Sequence, residues 1–261
     1  MSADNVPSDL WTDVQAEHYD ASCDGRFSSE IVEATTAFLA EMAGGGRALE
    51  FAIGTGRVAI ALQDRGIEVH GIEYSEAMAR VLRRKTGVIP VTIGDMATTR
   101  VDGRFSLVYL VFNTIGNLYT QEAQVACFRN AARHLVPGGR FVVEVGVPPL
   151  RSLPLGQTAV PFEVSENHVG IDTFDLVTQR AISHHFIRRK DSTYDYVPHN
   201  YRFVWPSELD LMAQLAGFAF EARYADWNRA PFTAESQSHV SVWRMPDVGC
   251  SPSHLVSPSL I

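Results

Sequence analysis

Three stretches of the chain set chemistry-bearing residues where an apolar run breaks. The first is Ala48-Leu-Glu-Phe-Ala-Ile-Gly-Thr-Gly56, in which an apolar segment gives way to a Gly-x-Gly turn and then to a helical pattern. Glycine is needed where the backbone turns tightly and approaches a ligand without a Cβ. Gly54, Gly56 and Ala59 also satisfy the permissive form of a dinucleotide fingerprint, so the turn predicts an adenosine-bearing cofactor without saying which one. The bland alternative is an ordinary strand-to-helix turn. The second stretch ends Val69-His-Gly-Ile-Glu-Tyr74, where Glu73 can accept hydrogen bonds from both hydroxyls of a ribose. Charge-assisted bonds of that kind contribute about 1.5–3 kcal/mol. An acid stabilised by the dipole of the next helix would look the same. The third is Ile93-Gly-Asp95-Met96, where an acid can accept from an adenine amino group and an apolar neighbour can pack on the ring.

The elements that must position these residues are legible from periodicity. Ser8 to Tyr19 predicts a short helix, and Ser28 or Ser29 caps one running to Met42, with Ile31, Ala34, Phe38 and Met42 in phase. Strands are expected at Arg47–Ile53, Glu68–Ile72, Val91–Ile93, Phe105–Val111 and Arg140–Val145. Helices are expected at Gly56–Arg65, from the cap Ser75 through Lys85, and at Thr120–His134, with Pro137-Gly138-Gly139 turning the chain before the fifth strand. Such alternation implies a mostly parallel sheet with helices on both faces. Ligands then bind beyond the carboxyl ends of the strands. After Pro148-Pro149 the composition shifts. Val160 to Val204 predicts two or three antiparallel strands, followed by a helix from Pro206 to Ala216 and strands at Phe218–Tyr224 and Val240–Trp243. The expected organisation is 1–45 as N-terminal helices or cap, 46–150 as cofactor core, 151–205 as an inserted antiparallel lid or wall, 206–245 as the end of the core, and 246–261 as a disordered tail.

Composition narrows the partners. The 261 residues carry a formal charge of −8, which argues against nucleic acid and against anionic membrane surfaces. Arg83-Arg84-Lys85 and Arg188-Arg189-Lys190 read as solvated faces. Three isolated cysteines, Cys23, Cys127 and Cys250, have no metal or redox spacing and suit a reducing cytoplasm. Neither a signal peptide nor a membrane span is expected.

Taken together, Glu50-x-Ala-x-Gly-x-Gly56, Glu73, Gly94-Asp95-Met96 and Leu135-x-Pro-Gly-Gly139 resemble the class I S-adenosylmethionine (SAM)-dependent methyltransferases, from Tyr19 to Val147 well and more loosely beyond. The resemblance implies a Rossmann-like, seven-stranded, mostly parallel sheet whose last strand is antiparallel and inserted beside its neighbour. It also implies SAM as cofactor, held by Tyr19, Glu50, Ala52, Gly54, Gly56, Glu73, Tyr74, Asp95, Met96 and Phe112. Ala52 departs from the family pattern, which has its first glycine there.

Methyl transfer from a sulfonium asks mainly for alignment and exclusion of water, with a base only for a protonated amine or a poorly acidic hydroxyl. Candidate catalytic residues are His184 and Glu144; Asn113 and Tyr201 are candidates for lining the acceptor. His184 and His185 must face opposite ways on a strand, so at most one points inward. Glu144 has an alternative role in orienting a backbone turn. Phe112-Asn-Thr-Ile-Gly116 lacks the Asn/Asp-Pro-Pro-aromatic pattern of nucleic-acid amino-methylating enzymes, and clustered carboxylates for a metal are missing there. The expected acceptor is a small molecule methylated on nitrogen or oxygen, carbon being the less favoured. The layout is similar to natural-product and amino-sugar N-methyltransferases. The rivals are an NAD(P)-dependent oxidoreductase, although no Tyr-x-x-x-Lys pair exists, and a SAM-binding protein without catalysis. Oligomeric state is not readable.

Overall fold

Capping side chains set the helix starts in the computed structural model, which describes residues 11–22 and 28–247. Thr12 and Gln15 form a reciprocal capping box at the head of α1 (Asp13–Ser22). The expected start at Ser8 lies outside the described residues. Ser28 accepts from the Ile31 amide and opens α2 (Ser29–Ala43), which left-handed Gly44 ends. Ser75 and Thr120 cap α4 (Glu76–Lys85) and α5 (Gln121–His134) in the same way. Between them run β1 (Ala48–Phe51), α3 (Arg57–Asp64), β2 (Val69–Glu73), β3 (Val91–Ile93) and β4 (Phe105–Leu110). β5 (Leu135–Gly146), α6 (Pro206–Leu215), β10 (Ala219–Tyr224) and β11 (Ser238–Arg244) complete the core.

The seven strands lie in the order β10-β11-β5-β4-β1-β2-β3. β1 to β5 pair in parallel, while β11 runs antiparallel between β5 and β10. This is the Rossmann-like sheet with an inserted antiparallel last strand. Alternation along the strands divides the core. Leu49, Phe51, Val108, Leu110, Phe141 and Val143 pack with Phe128 and Met212 of α5 and α6 on one face. Ala48, Leu107, Tyr109 and Val142 pack with Phe38, Leu39, Val58 and Leu62 of α2 and α3 on the other. Pro137-Gly138-Gly139 is not a turn ahead of the fifth strand. The strand starts at Leu135 and these residues make an excursion within it: Phe105 pairs with Leu135, but Leu107 pairs with Arg140. Met245 holds the excursion through bonds with Gly138 and Gly139.

A second sheet is inserted after β5. It has four strands, not two or three: β6 (Ala159–Val164), β7 (His168–Asp175), β8 (Arg180–Arg188) and β9 (Tyr194–Arg202), an antiparallel meander in that order. Pro161 and Pro198 blur the alternation of the two outer strands. Both lie on sheet edges, where the missing amide is tolerated. Register puts His168, Gly170, Asp172 and Phe174 on one face with Ala181, Ser183, His185, His199 and Tyr201. On β9 this face is the sheltered one, and the alternate residues Tyr194, Tyr196, Pro198 and Asn200 are exposed. No helix among the described residues is long and apolar enough to cross a membrane. All of 246–261 beyond residue 247 lies outside the described residues, as do Cys23 and Cys250.

Candidate active site

At the carboxyl end of β1 the chain takes three left-handed residues in alternation, Ala52 (φ 52°), Gly54 (φ 60°) and Gly56 (φ 77°). A Cβ on Gly56 would lie 2.1 Å from Leu82 Cδ1, so helix packing demands glycine there. Gly54 has open space on its Cβ side, which is room for a ligand. Glu73, 6% exposed at the end of β2, reaches across to this turn. Its Oε2 accepts from the Gly54 amide at 2.7 Å and its Oε1 from the Ser75 amide at 2.8 Å. The carboxylate thus serves both the turn and the helix entry. Burial pushes its pKa up, against the pull of those amides.

Glu50, on the same face of the sheet as Glu73, is 2% exposed. Tyr109 of β4 donates to its Oε2 at 2.9 Å. Burial pushes the Glu50 carboxyl up to about 8. Tyr74 and Ile93, apolar but 43% and 41% exposed, flank the ends of β2 and β3. Asp95 follows with its Oδ1 on the Ala97 amide at 2.7 Å, and Met96 is buried beneath. A buried acceptor carboxylate, an open glycine and two exposed hydrophobic side chains thus meet at the ends of β1, β2 and β3.

The turn after β4 is unusual. Phe112 (φ 56°) and Asn113 (φ 60°) are consecutive non-glycine residues in left-handed conformation. Glu144 braces them. Its Oε2 accepts from the Phe112 amide at 2.9 Å and its Oε1 from the Trp227 indole at 2.9 Å. Burial raises its pKa as well. Asn113 is exposed, and its side chain accepts from the Gly146 amide. Both oxygens of Glu144 therefore serve backbone and indole donors.

His184 is placed away from Tyr201. It lies on the opposite face of the second sheet, between Thr173 Oγ1 at 2.9 Å and the Tyr196 hydroxyl at 2.8 Å. Strand parity sends His185 inward in its place, along with His199.

Sequence reasoning did not single out Arg57, Trp227, or the clasp on α1. The Arg57 guanidinium lies 4.4 Å over the Phe112 ring and acts through space on Glu50, Glu144 and Asp20. A cation in the first turn of a helix opposes the helix dipole, which was a readable signal for nearby acids. Thr55 donates to Asp20 Oδ1 at 2.6 Å, and Lys85 pairs with Asp20 and donates to the Thr55 carbonyl at 2.9 Å. Arg80 pairs with Asp13 and Arg84 with Glu17. The basic end of α4 is thus no free solvated face. It holds α1 against the glycine turn, with Tyr19 beside Trp11 at 5.0 Å.

Fold and site together define a Rossmann-like α/β protein with an open glycine turn and buried carboxyls at the carboxyl ends of its parallel strands. The chain is 34% identical to the methyltransferase CcbJ of Streptomyces caelestis, with 89% of this chain and 96% of that one covered at a TM-score of 0.80. It belongs to the SAM-dependent methyltransferase family. A model of the methyltransferase domain matches residues 48–139, which run from β1 to the Pro-Gly-Gly excursion. DesVI of Streptomyces venezuelae shares the fold at 19% identity, with a TM-score of 0.66 over 90% of this chain and 99% of that one. Among curated relatives, the dTDP-4-amino-2,3,4,6-tetradeoxy-D-glucose N,N-dimethyltransferase of Saccharopolyspora spinosa is 29% identical over 140 residues, 52% of this chain. The match spans 56% of that relative's own length, about half.

Proposed function

We propose that this chain transfers the methyl group of SAM to a nitrogen or oxygen atom of a small-molecule acceptor, with an amine-bearing natural product as the favoured class. The observation that carries the reading is the arrangement at the ends of β1 to β3 of open Gly54, buried Glu73 and exposed Tyr74 and Ile93. The names of relatives such as the amino-sugar N,N-dimethyltransferase of Saccharopolyspora spinosa support the acceptor class. The charge of −8 supports a small molecule over nucleic acid, and a cytoplasmic setting belongs to the same reading.

Bound SAM supplies an electrophilic methyl group on a sulfonium. In this reading Gly54 and Gly56 let the backbone approach the cofactor, with Ala52 and Glu50 shaping the turn. Glu73 exchanges backbone partners for ribose hydroxyls. Asp95, Met96 and Tyr74 receive the adenine, Tyr19 closes over the cofactor from α1, and Phe112 lines the methyl end. Asn113 and Tyr201 line the acceptor. Glu144 acts by holding the Phe112 turn, and His184, on the outer face, takes no proton from the acceptor. Alignment and exclusion of water then carry the displacement.

Calorimetric titration tests this. SAM and S-adenosylhomocysteine should bind and NADPH should not; NADPH binding without a SAM signal overturns the reading. Glu73→Gln should weaken SAM roughly ten- to a hundredfold, the loss of one charge-assisted acceptor.

A further inference from the structure

The inward face of the second sheet carries a polar row that the cofactor grip does not use. Asp172 of β7, Ser183 of β8 and His199 of β9 stand opposite one another, and Tyr201 follows on β9, opposite Ala181. The Asp172 carboxyl interacts with the hydroxyls of Ser183 and Tyr201. Its Oδ1 is nonetheless buried and takes no hydrogen bond among the described residues. Buried polar atoms are almost always paired in native proteins, so an orphaned carboxylate oxygen asks for a donor that arrives from outside the chain.

Two contacts set this row at the mouth of the site. A side chain on Gly116, in the turn that follows Phe112-Asn113, would begin 3.6 Å from Tyr201 Cβ. At the other side His199 lies 5.8 Å from Trp11, which in turn packs against Tyr19. The row therefore lies between the β4 turn and the helix that covers the cofactor turn. Burial drives His199 toward its neutral form, so it does not serve Asp172 as a cation. Ser183 continues the row to His185 at 3.2 Å, and His185 to His168 at 2.9 Å.

We propose that Asp172 is the acceptor-binding carboxylate, its Oδ1 taking an N–H of an amino group on the acceptor, with Tyr201 as a positioning residue that holds the carboxyl. The inference rests on the proposed methyl transfer and narrows its acceptor to an amine that carries at least one N–H.

The probe is methylammonium, titrated up to molar concentration into the full chain saturated with S-adenosylhomocysteine, with the ¹³C resonance of the Asp172 carboxyl as the readout. Methylammonium should shift that resonance saturably. Tetramethylammonium, equal in charge but without N–H, should not. Tyr201→Phe should weaken the methylammonium response several-fold and leave S-adenosylhomocysteine affinity unchanged. With an amine acceptor found by screening, Asp172→Asn should raise KM roughly ten- to a hundredfold with kcat little changed, as expected for a charge-assisted contact made already in the ground state. A silent Asp172 resonance, or an equal response to both cations, overturns the proposal, and the wild-type titration needs no variant to fold. Failure to bind S-adenosylhomocysteine would sink the methyltransferase reading; binding it while Asp172 stays silent sinks only this one.

Discussion

At Ala52 the backbone sits at φ 52°, where a Cβ crowds the following carbonyl at a cost of about 1–2 kcal/mol. Ala52→Gly should therefore raise stability by about 1 kcal/mol after the added freedom of the unfolded chain is counted, read as a higher urea midpoint with unchanged slope. Glu50 gives a second test. Its folded pKa, raised to about 8 by burial, lies above the ordinary carboxyl value. The folded state then holds more protons than the unfolded state between about pH 4.5 and 8. Its stabilising contribution is full below that window and is lost as pH rises through it. Glu50→Gln should flatten that decline, visible as a smaller drop in urea midpoint from pH 5 to pH 8 than in the wild type. The position of Glu73 was legible because it ends an apolar run with an acid, whereas Glu50, inside its strand, was singled out only by the family resemblance. A turn-orienting role for Glu144 was one of the two readings the sequence left open; that its other oxygen takes the Trp227 indole was not legible, since Trp227 joins it from 83 residues away.

Among the elements, α1 is held on by charge. Arg80, Arg84 and Lys85 of α4 pair with Asp13, Glu17 and Asp20, and Thr55 adds a hydrogen bond from the cofactor turn. Partial burial alone would raise the pKa of Asp20, but Lys85 and Thr55 hold it below the ordinary range. These pairs are exposed, so each contributes only about 0–1 kcal/mol and is screened by salt. Release of S-adenosylhomocysteine should accordingly speed up several-fold from low to high ionic strength. In an Arg84→Ala/Lys85→Ala double variant it should be fast at both, as stopped-flow measurement would show. Arg84 and Lys85 looked like solvated surface because their partners lie 67 and 65 residues earlier, beyond any local pattern.

For the whole molecule, the joint between the two sheets decides where the inner-face residues of the second sheet stand. Buried Arg202, at the end of β9, bonds Gln124 of α5, Gln179 and Glu208 of α6. Glu208 also accepts from Gln121 and Gln179. Removing one partner of such a buried pair leaves an uncompensated charge. Arg202→Ala should cost about 3–5 kcal/mol and lower Tm by calorimetry. A paired Arg202→Met/Glu208→Leu change should recover much of the loss, because it removes both charges together.

What the sequence determined by itself was whatever depends on neighbours along the chain. The strand and helix alternation, the helix caps, the glycine turn, the acid ending β2 and the acid just after β3 all follow from short-range periodicity and backbone sterics. The fold class followed from those, and so did the proposed place of the cofactor grip. What only the tertiary structure decided was which face of an inserted strand looks inward. Parity required His184 and His185 to oppose each other, yet nothing local said which would be buried. That was settled when Arg202 and the turn at Gly116 docked the second sheet, sending His184 to the outer face and Asp172, His199 and Tyr201 to the inner one. A strand's alternation is local, but the side that is sheltered is a property of what packs against it.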